Sequence, residues 1–147
     1  MKHFKLAAIV VLALLLTACK NNSQNTNTAS AIDASISKIE VLDFHSTHRC
    51  MTCNAIEANT RHTLNTYFAE ELKDQKITFQ LINVDQEENK TIAEKFQAAG
   101  TALFLNVIKD GKENHIDLTE FAFMKGNNQE AFSKDLKAKI DTQLKAL

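Results

Sequence analysis

The chain has 147 residues, 17 Lys and Arg against 18 Asp and Glu, a formal net charge of −1, three cysteines, and neither proline nor tryptophan. That length suffices for one core and carries no internal repeat, so a single folded domain is expected. No run of five basic residues occurs anywhere, which leaves nothing to grip a phosphate backbone and excludes nucleic acid as a partner.

At the N-terminus, Lys2 and Lys5 form a short basic head before residues 6–16, LAAIVVLALLL, which are apolar throughout. The run is shorter than the roughly 20 residues a spanning helix needs and is followed by a polar tract, so residues 1–18 read as a signal peptide. Leu16-Thr17-Ala18-Cys19 resembles the bacterial lipobox, which implies cleavage before Cys19 and a diacylglycerol on its thiol. The plainer alternative is a cleaved secretory signal with an incidental cysteine. Under the lipobox reading, attachment to the membrane comes from acyl chains and not from a protein segment. Lys20 stands where an aspartate would favour inner-membrane retention, so the expected location is the bacterial cell envelope, periplasm-facing, at the outer rather than the inner membrane. Residues 20–31, KNNSQNTNTASA, have no large apolar side chain and cannot offset their own ordering entropy. Residues 19–33 are therefore a flexible tether, and residues 34–147 the folded domain. Loss of Lys2 and Lys5 leaves 15 basic residues against 18 acidic, a net charge of −3.

With Cys19 acylated, Cys50 and Cys53 keep free thiols in a compartment where disulfides persist. A ring closed over two intervening residues is too local to staple a fold, so redox or metal chemistry is the better reason for the pair.

In chain order, residues 38–44, KIEVLDF, read as a strand. From Thr52 the period becomes helical, with Ile56, Asn59/Thr60, Thr63/Leu64, Tyr67/Phe68 and Leu72 on one stripe. Residues 77–84, ITFQLINV, read as an interior strand, and a helix from Asp85 to about Ala98 follows, burying Ile92, Ala93 and Phe96, with Gly100 to end it. Residues 102–108 and 113–118 are expected to pair as a hairpin around the Asp110-Gly111 turn. Phe121-Ala122-Phe123-Met124 fits either a short helix or an irregular connection. Phe132, Leu136, Ile140 and Leu144 then mark a terminal amphipathic helix over 129–145. The result is an α/β domain with a mixed sheet of about four strands flanked by helices on both faces.

A C-x-x-C pair between a strand and the first long helix resembles the thioredoxin superfamily, in particular the envelope thioredoxin-like lipoproteins of Bacteroidota. The resemblance spans about residues 36–145 and rests on Asp43-Phe44, Cys50-Met51-Thr52-Cys53 and Gly100-Thr101-Ala102. It implies a thioredoxin-like fold and thiol–disulfide chemistry without a bound organic cofactor. The implied partners are envelope thiol or disulfide proteins and a membrane electron donor or acceptor. It also implies that Asp43 is a buried acid behind Cys53, and that Met51, Thr52, Thr101 and Ala102 face the substrate. The chain departs from the family pattern in three places. His48-Arg49 precede the first cysteine instead of a tryptophan, and the Phe44-to-Cys50 span is one residue longer. Met51-Thr52 replace Gly-Pro. Ala102 stands at the cis-proline position, and a trans bond is expected there because a cis bond before a non-proline residue costs about 2.5–4 kcal/mol.

Under the redox reading, Cys50 is the attacking thiolate and Cys53 resolves the mixed disulfide. The unpaired amides and dipole of a helix start favour the thiolate, and Arg49 and protonated His48 add to this. Such surroundings bring a thiol from about 8.5 into the range of about 3.5–7.5. His45, His48, Cys50 and Cys53 also form a possible Zn²⁺ or Cu⁺ ligand set, which makes a metal-binding lipoprotein the rival reading. A non-catalytic binding module is the third. His45 otherwise serves as a packing or hydrogen-bonding residue, and Asp43 as a solvated acid. Glu57, His62 and His115 read as surface residues, and Phe96, Phe104, Phe121 and Phe123 as core.

Overall fold

The computed structural model describes residues 37–147. The signal segment 1–18, the acylation site Cys19 and the tether through residue 33 lie outside the described residues.

β1 (Lys38–His45) occupies the centre of a four-stranded sheet of order β2-β1-β3-β4. Its side chains alternate between the faces, as the pleat dictates. Ile39 and Val41 enter one buried cluster, and Leu42 and Phe44 enter the other. A strand covered on both sides needs apolar residues at both parities, which is why KIEVLDF lacks a clean alternation. β2 (Ile77–Asn83) runs parallel to β1, from Ile39 opposite Ile77 to His45 opposite Asn83. β3 (Ala102–Lys109) runs antiparallel to β1, with Phe44 opposite Ala102, and is buried from Ala102 to Ile108. β4 (Lys112–Asp117) closes the hairpin, and Asp110 and Gly111 take the positive φ angles, 50° and 71°, that a tight turn of this hand requires.

β2 is an edge strand, not the interior strand its composition suggests. Ile77 and Ile82 are buried, while Gln80 and Leu81 are exposed. A short apolar run reports burial and carries no information about which strands flank it.

The first helical stretch also differs from expectation. α1 (Met51–Tyr67) stops at Phe68, whose φ of −134° is not helical, and α2 (Ala69–Lys73) restarts beyond it. The Phe68 ring is 2% exposed, so burying it offsets the lost helical continuity. After β2, a 3₁₀ turn over Glu87–Asn89 precedes α3 (Lys90–Lys95), shorter than the expected helix but burying the expected Ala93, with Phe96 buried just beyond its end. The ambiguous aromatic patch forms α4 (Thr119–Lys125). In α5 (Gln129–Leu144), Asn128 caps the N-terminus through Ala131 N at 3.0 Å, and Phe132, Leu136 and Ile140 are fully buried.

Residues of α1, α4 and α5 form the larger cluster on one face of the sheet. On the other face, Phe44, Phe96 and Phe104 meet with ring centroids 5.3 to 5.9 Å apart. The register places the end of β1, the end of β2 and the start of β3 together, so loops 46–50, 84–86 and 98–101 share one end of the sheet.

Candidate redox site

Cys50 is the N-cap of α1, with extended backbone (φ −76°, ψ 167°), and its Sγ accepts the Cys53 amide at 3.1 Å. A sulfur in this place takes the part that a serine or aspartate oxygen usually plays, satisfying one of the orphan donors of the first turn. Cys50 and Cys53 are joined by a disulfide with Cα atoms 5.1 Å apart. Cys50 is exposed, whereas Cys53 is 7% exposed, so only the first sulfur is presented to a partner.

Asp43 shares the parity of Ile39 and Val41, which directs it to the face covered by α1. It is fully buried, and neither carboxyl oxygen has a hydrogen-bond partner among the described residues. Burial pushes its pKa up to about 7, against the pull of the Arg49 charge; Glu57 raises it further and Arg61 lowers it. The solvated alternative for Asp43 is therefore replaced by a buried acid.

Arg49 does not point its charge freely at Cys50. Its guanidinium pairs with Glu57 Oε2 and donates to the Cys53 carbonyl at 3.1 Å, while Arg61 Nε holds Glu57 Oε1 at 2.7 Å. Burial pushes the Glu57 carboxyl up, but hydrogen bonds from the two arginines outweigh this and hold it below the usual carboxylate range. Glu57 is thus a half-buried hub and not the surface residue its sequence context suggests. Arg61 also lies over the Phe79 ring at 4.7 Å.

The β1–α1 loop is anchored at Thr47. Thr47 N donates to Asp85 Oδ2 at 2.7 Å, and Asn83 Nδ2 donates to Thr47 Oγ1 at 3.1 Å. His48 is exposed, and His45 directs Nδ1 to the Ser46 carbonyl at 2.9 Å. Among the described residues no group of three or more His, Cys, Asp and Glu side chains converges as a metal site, so the four candidate ligands are not brought together. His62 is exposed, and His115 stacks on Phe96 at 4.1 Å with Nε2 3.0 Å from Glu113.

Met51 is 88% exposed beside the disulfide, and Thr52 is half-buried against the α4–α5 turn. Thr101 is half-buried and Ala102 buried at the start of β3; no peptide bond is cis among the described residues. A carbon placed at Gly100 Cβ would lie 3.7 Å from Ser46 Oγ, so the 98–101 loop adjoins the loop carrying the cysteines. The same loop borders a cleft of about 480 Å³ lined by Phe96, Ala98, Thr101, Phe104 and His115. Of the expected core aromatics, Phe96 and Phe104 are buried, Phe121 is half-buried, and Phe123 is 44% exposed.

The sheet order, with β1 and β2 parallel, the other pairs antiparallel, and a C-x-x-C disulfide opening the helix after β1, matches the resemblance carried by the sequence. The fold is thioredoxin-like. Among solved structures, the chain is similar to one described as a malarial protein (18% identity, 60% of this chain and 94% of that one, TM-score 0.38). It is also similar to the thioredoxin of Fasciola hepatica (24% identity, 60% of this chain and 76% of that one, TM-score 0.37). No protein-family model matches the sequence, and no curated protein matches it significantly.

Three residues of this thioredoxin-like site escaped the sequence reading: Glu57 as a hub, Arg61 and Asp85. The Glu57–Arg61 pair has i,i+4 spacing and was legible as a helix-face ion pair. The contacts of Arg49 and of Asp85 depend on how the loop folds back, which spacing does not report.

Proposed function

We propose that the protein is a thiol–disulfide oxidoreductase of the bacterial cell envelope, with Cys50 as nucleophile and Cys53 as resolving cysteine. The observation that carries this reading is the asymmetry of the pair: an exposed sulfur capping a helix, bonded to a buried one on the face where an unpartnered carboxyl lies.

In the reduced protein, the Cys50 thiolate attacks a partner disulfide, forming a Cys50–partner disulfide and releasing the other partner sulfur as thiolate. Asp43, with a pKa of about 7, accepts the Cys53 proton. The Cys53 thiolate then attacks Cys50 Sγ, closing the Cys50–Cys53 disulfide and expelling the second partner sulfur. Two electrons pass from the dithiol to the partner, and the reverse sequence oxidises a partner dithiol. A membrane thiol carrier or oxidase resets the pair. Met51 and Thr52 lie between the two cysteines, Met51, Thr52, Thr101 and Ala102 contact the incoming segment, and the lipid on Cys19 keeps the domain at the membrane.

Trapping tests this. A Cys53→Ala variant expressed in a bacterial envelope is expected to retain partner proteins covalently on Cys50, released by reductant and absent from the Cys50→Ser variant. Absence of any Cys50 adduct, together with no insulin disulfide reduction by the wild-type protein, defeats the assignment. Cys19→Ala is expected to move the protein from the membrane fraction to the soluble one; unchanged fractionation defeats the lipid anchor alone.

A further inference from the structure

Arg49 immediately precedes the first cysteine, yet its side chain reaches past Cys50 to groups of the first turns of α1. One guanidinium nitrogen donates to the carbonyl of Cys53 at 3.1 Å, and another pairs with Glu57, one turn further along α1. Glu57 is itself fixed by Arg61 at 2.7 Å. Residues 49 and 53–57 are therefore tied together around Cys50 by bonds that do not involve either sulfur. Both ends are sheltered, with the Arg49 and Glu57 side chains 17% and 19% exposed, so the ion pair is weakly screened. The planar fork of an arginine holds a carboxylate and a carbonyl at once in a fixed geometry, which the single rotatable ammonium of a lysine does not impose.

We propose that Arg49, Glu57 and Arg61 form a clamp that keeps the two thiols facing each other after the disulfide is reduced, with Arg49 and Glu57 as positioning residues. The role differs from that of a cation lowering the proton affinity of Cys50, because the Arg49 guanidinium is directed to Glu57 and the Cys53 carbonyl and its bonds fix backbone position. A dithiol held in register has a high effective concentration of one sulfur at the other, so the oxidised state is favoured at equilibrium. The Arg49 charge also favours ionisation of Asp43, against the effect of burial, and Glu57 and Arg61 are the other charged groups acting on that carboxyl. This inference rests on the redox reading of the pair, but its test does not need a physiological partner.

The full-length protein, purified in detergent, is equilibrated with reduced and oxidised glutathione, where the dithiol plus one oxidised glutathione gives the disulfide plus two reduced glutathiones. Glu57→Gln and Arg49→Met are each expected to lower this equilibrium constant about tenfold, a potential less negative by about 30 mV. The double variant should shift no further than either single one, since both break one unit. Arg49→Lys, which keeps the charge but loses the fork, should recover less than half of the shift. Two results overturn the clamp: unchanged potentials, or a more negative potential in Arg49→Met with a raised Cys50 thiol titration, which is the signature of a charge acting on the thiolate. If Arg49→Met fails to fold, the near-isosteric Glu57→Gln carries the test alone. A shifted potential with no partner trapped on Cys50 and no insulin disulfide reduction would support the clamp and defeat the proposed function; trapped partners with unchanged potentials would do the reverse.

Discussion

The amide of Cys53 donates to Sγ of Cys50 at 3.1 Å, so the sulfur that caps α1 is also the sulfur exposed to solvent. A thiolate formed by reduction remains at the positive end of the helix, whereas the Cys53 sulfur stays inside the domain. The two thiols should therefore differ in reactivity by about tenfold or more toward a small alkylating agent at neutral pH. Mass mapping of partially alkylated, reduced protein checks this, and equal labelling of Cys50 and Cys53 would contradict it.

Asp43 gives the domain a pH dependence of definite sign. The unfolded chain ionises this carboxyl near 3.8, while the folded protein retains the proton to about 7. Between those values the folded state binds more protons, so stability is highest below about pH 4 for this group and is lost as pH rises through 7. The full shift corresponds to about 4 kcal/mol. Asp43→Asn should raise stability at pH 8 by about 2 kcal/mol or more, leave it nearly unchanged at pH 4, and slow resolution on the order of a hundredfold. Urea unfolding at the two pH values, together with single-turnover kinetics, measures both effects. A variant no more stable at pH 8 than the wild type would remove the argument for a protonated buried acid.

These two groups were visible in the sequence for different reasons. Cys50 and Cys53 announce themselves by spacing at a strand-to-helix junction, and α5 by Phe132, Leu136 and Ile140 at intervals of four, all fully buried. Asp43 was marked by its place at the end of the strand, at the parity of Ile39 and Val41, but whether it was buried or solvated stayed open until the strand was placed between two layers. Other features needed the tertiary structure. Phe68 breaks α1 because its ring finds the core, although the helical period runs on to Leu72. The edge position of β2 depends on strand order, which no local pattern encodes. Glu57 sits on a helix face that reads as solvated, until the β1–α1 loop brings Arg49 back over it.

Asp85 is the outside anchor of that loop. Its carboxylate accepts the Thr47 amide at 2.7 Å. The Thr47 backbone bond leads the causes that hold the Asp85 carboxyl below the usual carboxylate range. The anchor therefore operates above the ordinary carboxylate pKa and is lost as pH falls through the lowered value. Asp85→Ala is expected to speed hydrogen exchange of the Thr47 amide about tenfold while leaving the melting temperature of this exposed site almost unmoved. Amide exchange followed by NMR decides it: continued protection of Thr47 in the variant would show that the loop is held elsewhere.

Gly126 is required for closeness and not for its backbone angle, since its φ of −54° is open to any residue. A Cβ there would sit 2.8 Å from the Ala122 carbonyl oxygen, 3.1 Å from Ile56 and 3.2 Å from Thr52. The first contact is with the backbone of α4 itself and cannot be relieved by a rotamer change, so the end of α4 must rearrange, while the contacts with Ile56 and Thr52 push the α4–α5 turn away from α1. That movement would also strain the bond from Asn59 Nδ2 to the Gly126 carbonyl, 2.7 Å long and buried. Gly126→Ala should therefore cost about 1–3 kcal/mol in urea unfolding. Because Thr52 lies between the two cysteines, the same variant should also change the glutathione equilibrium of the pair. An unfolding midpoint equal to the wild type would mean that α4 can retreat freely, and that α1 does not depend on it for the position of its first turn.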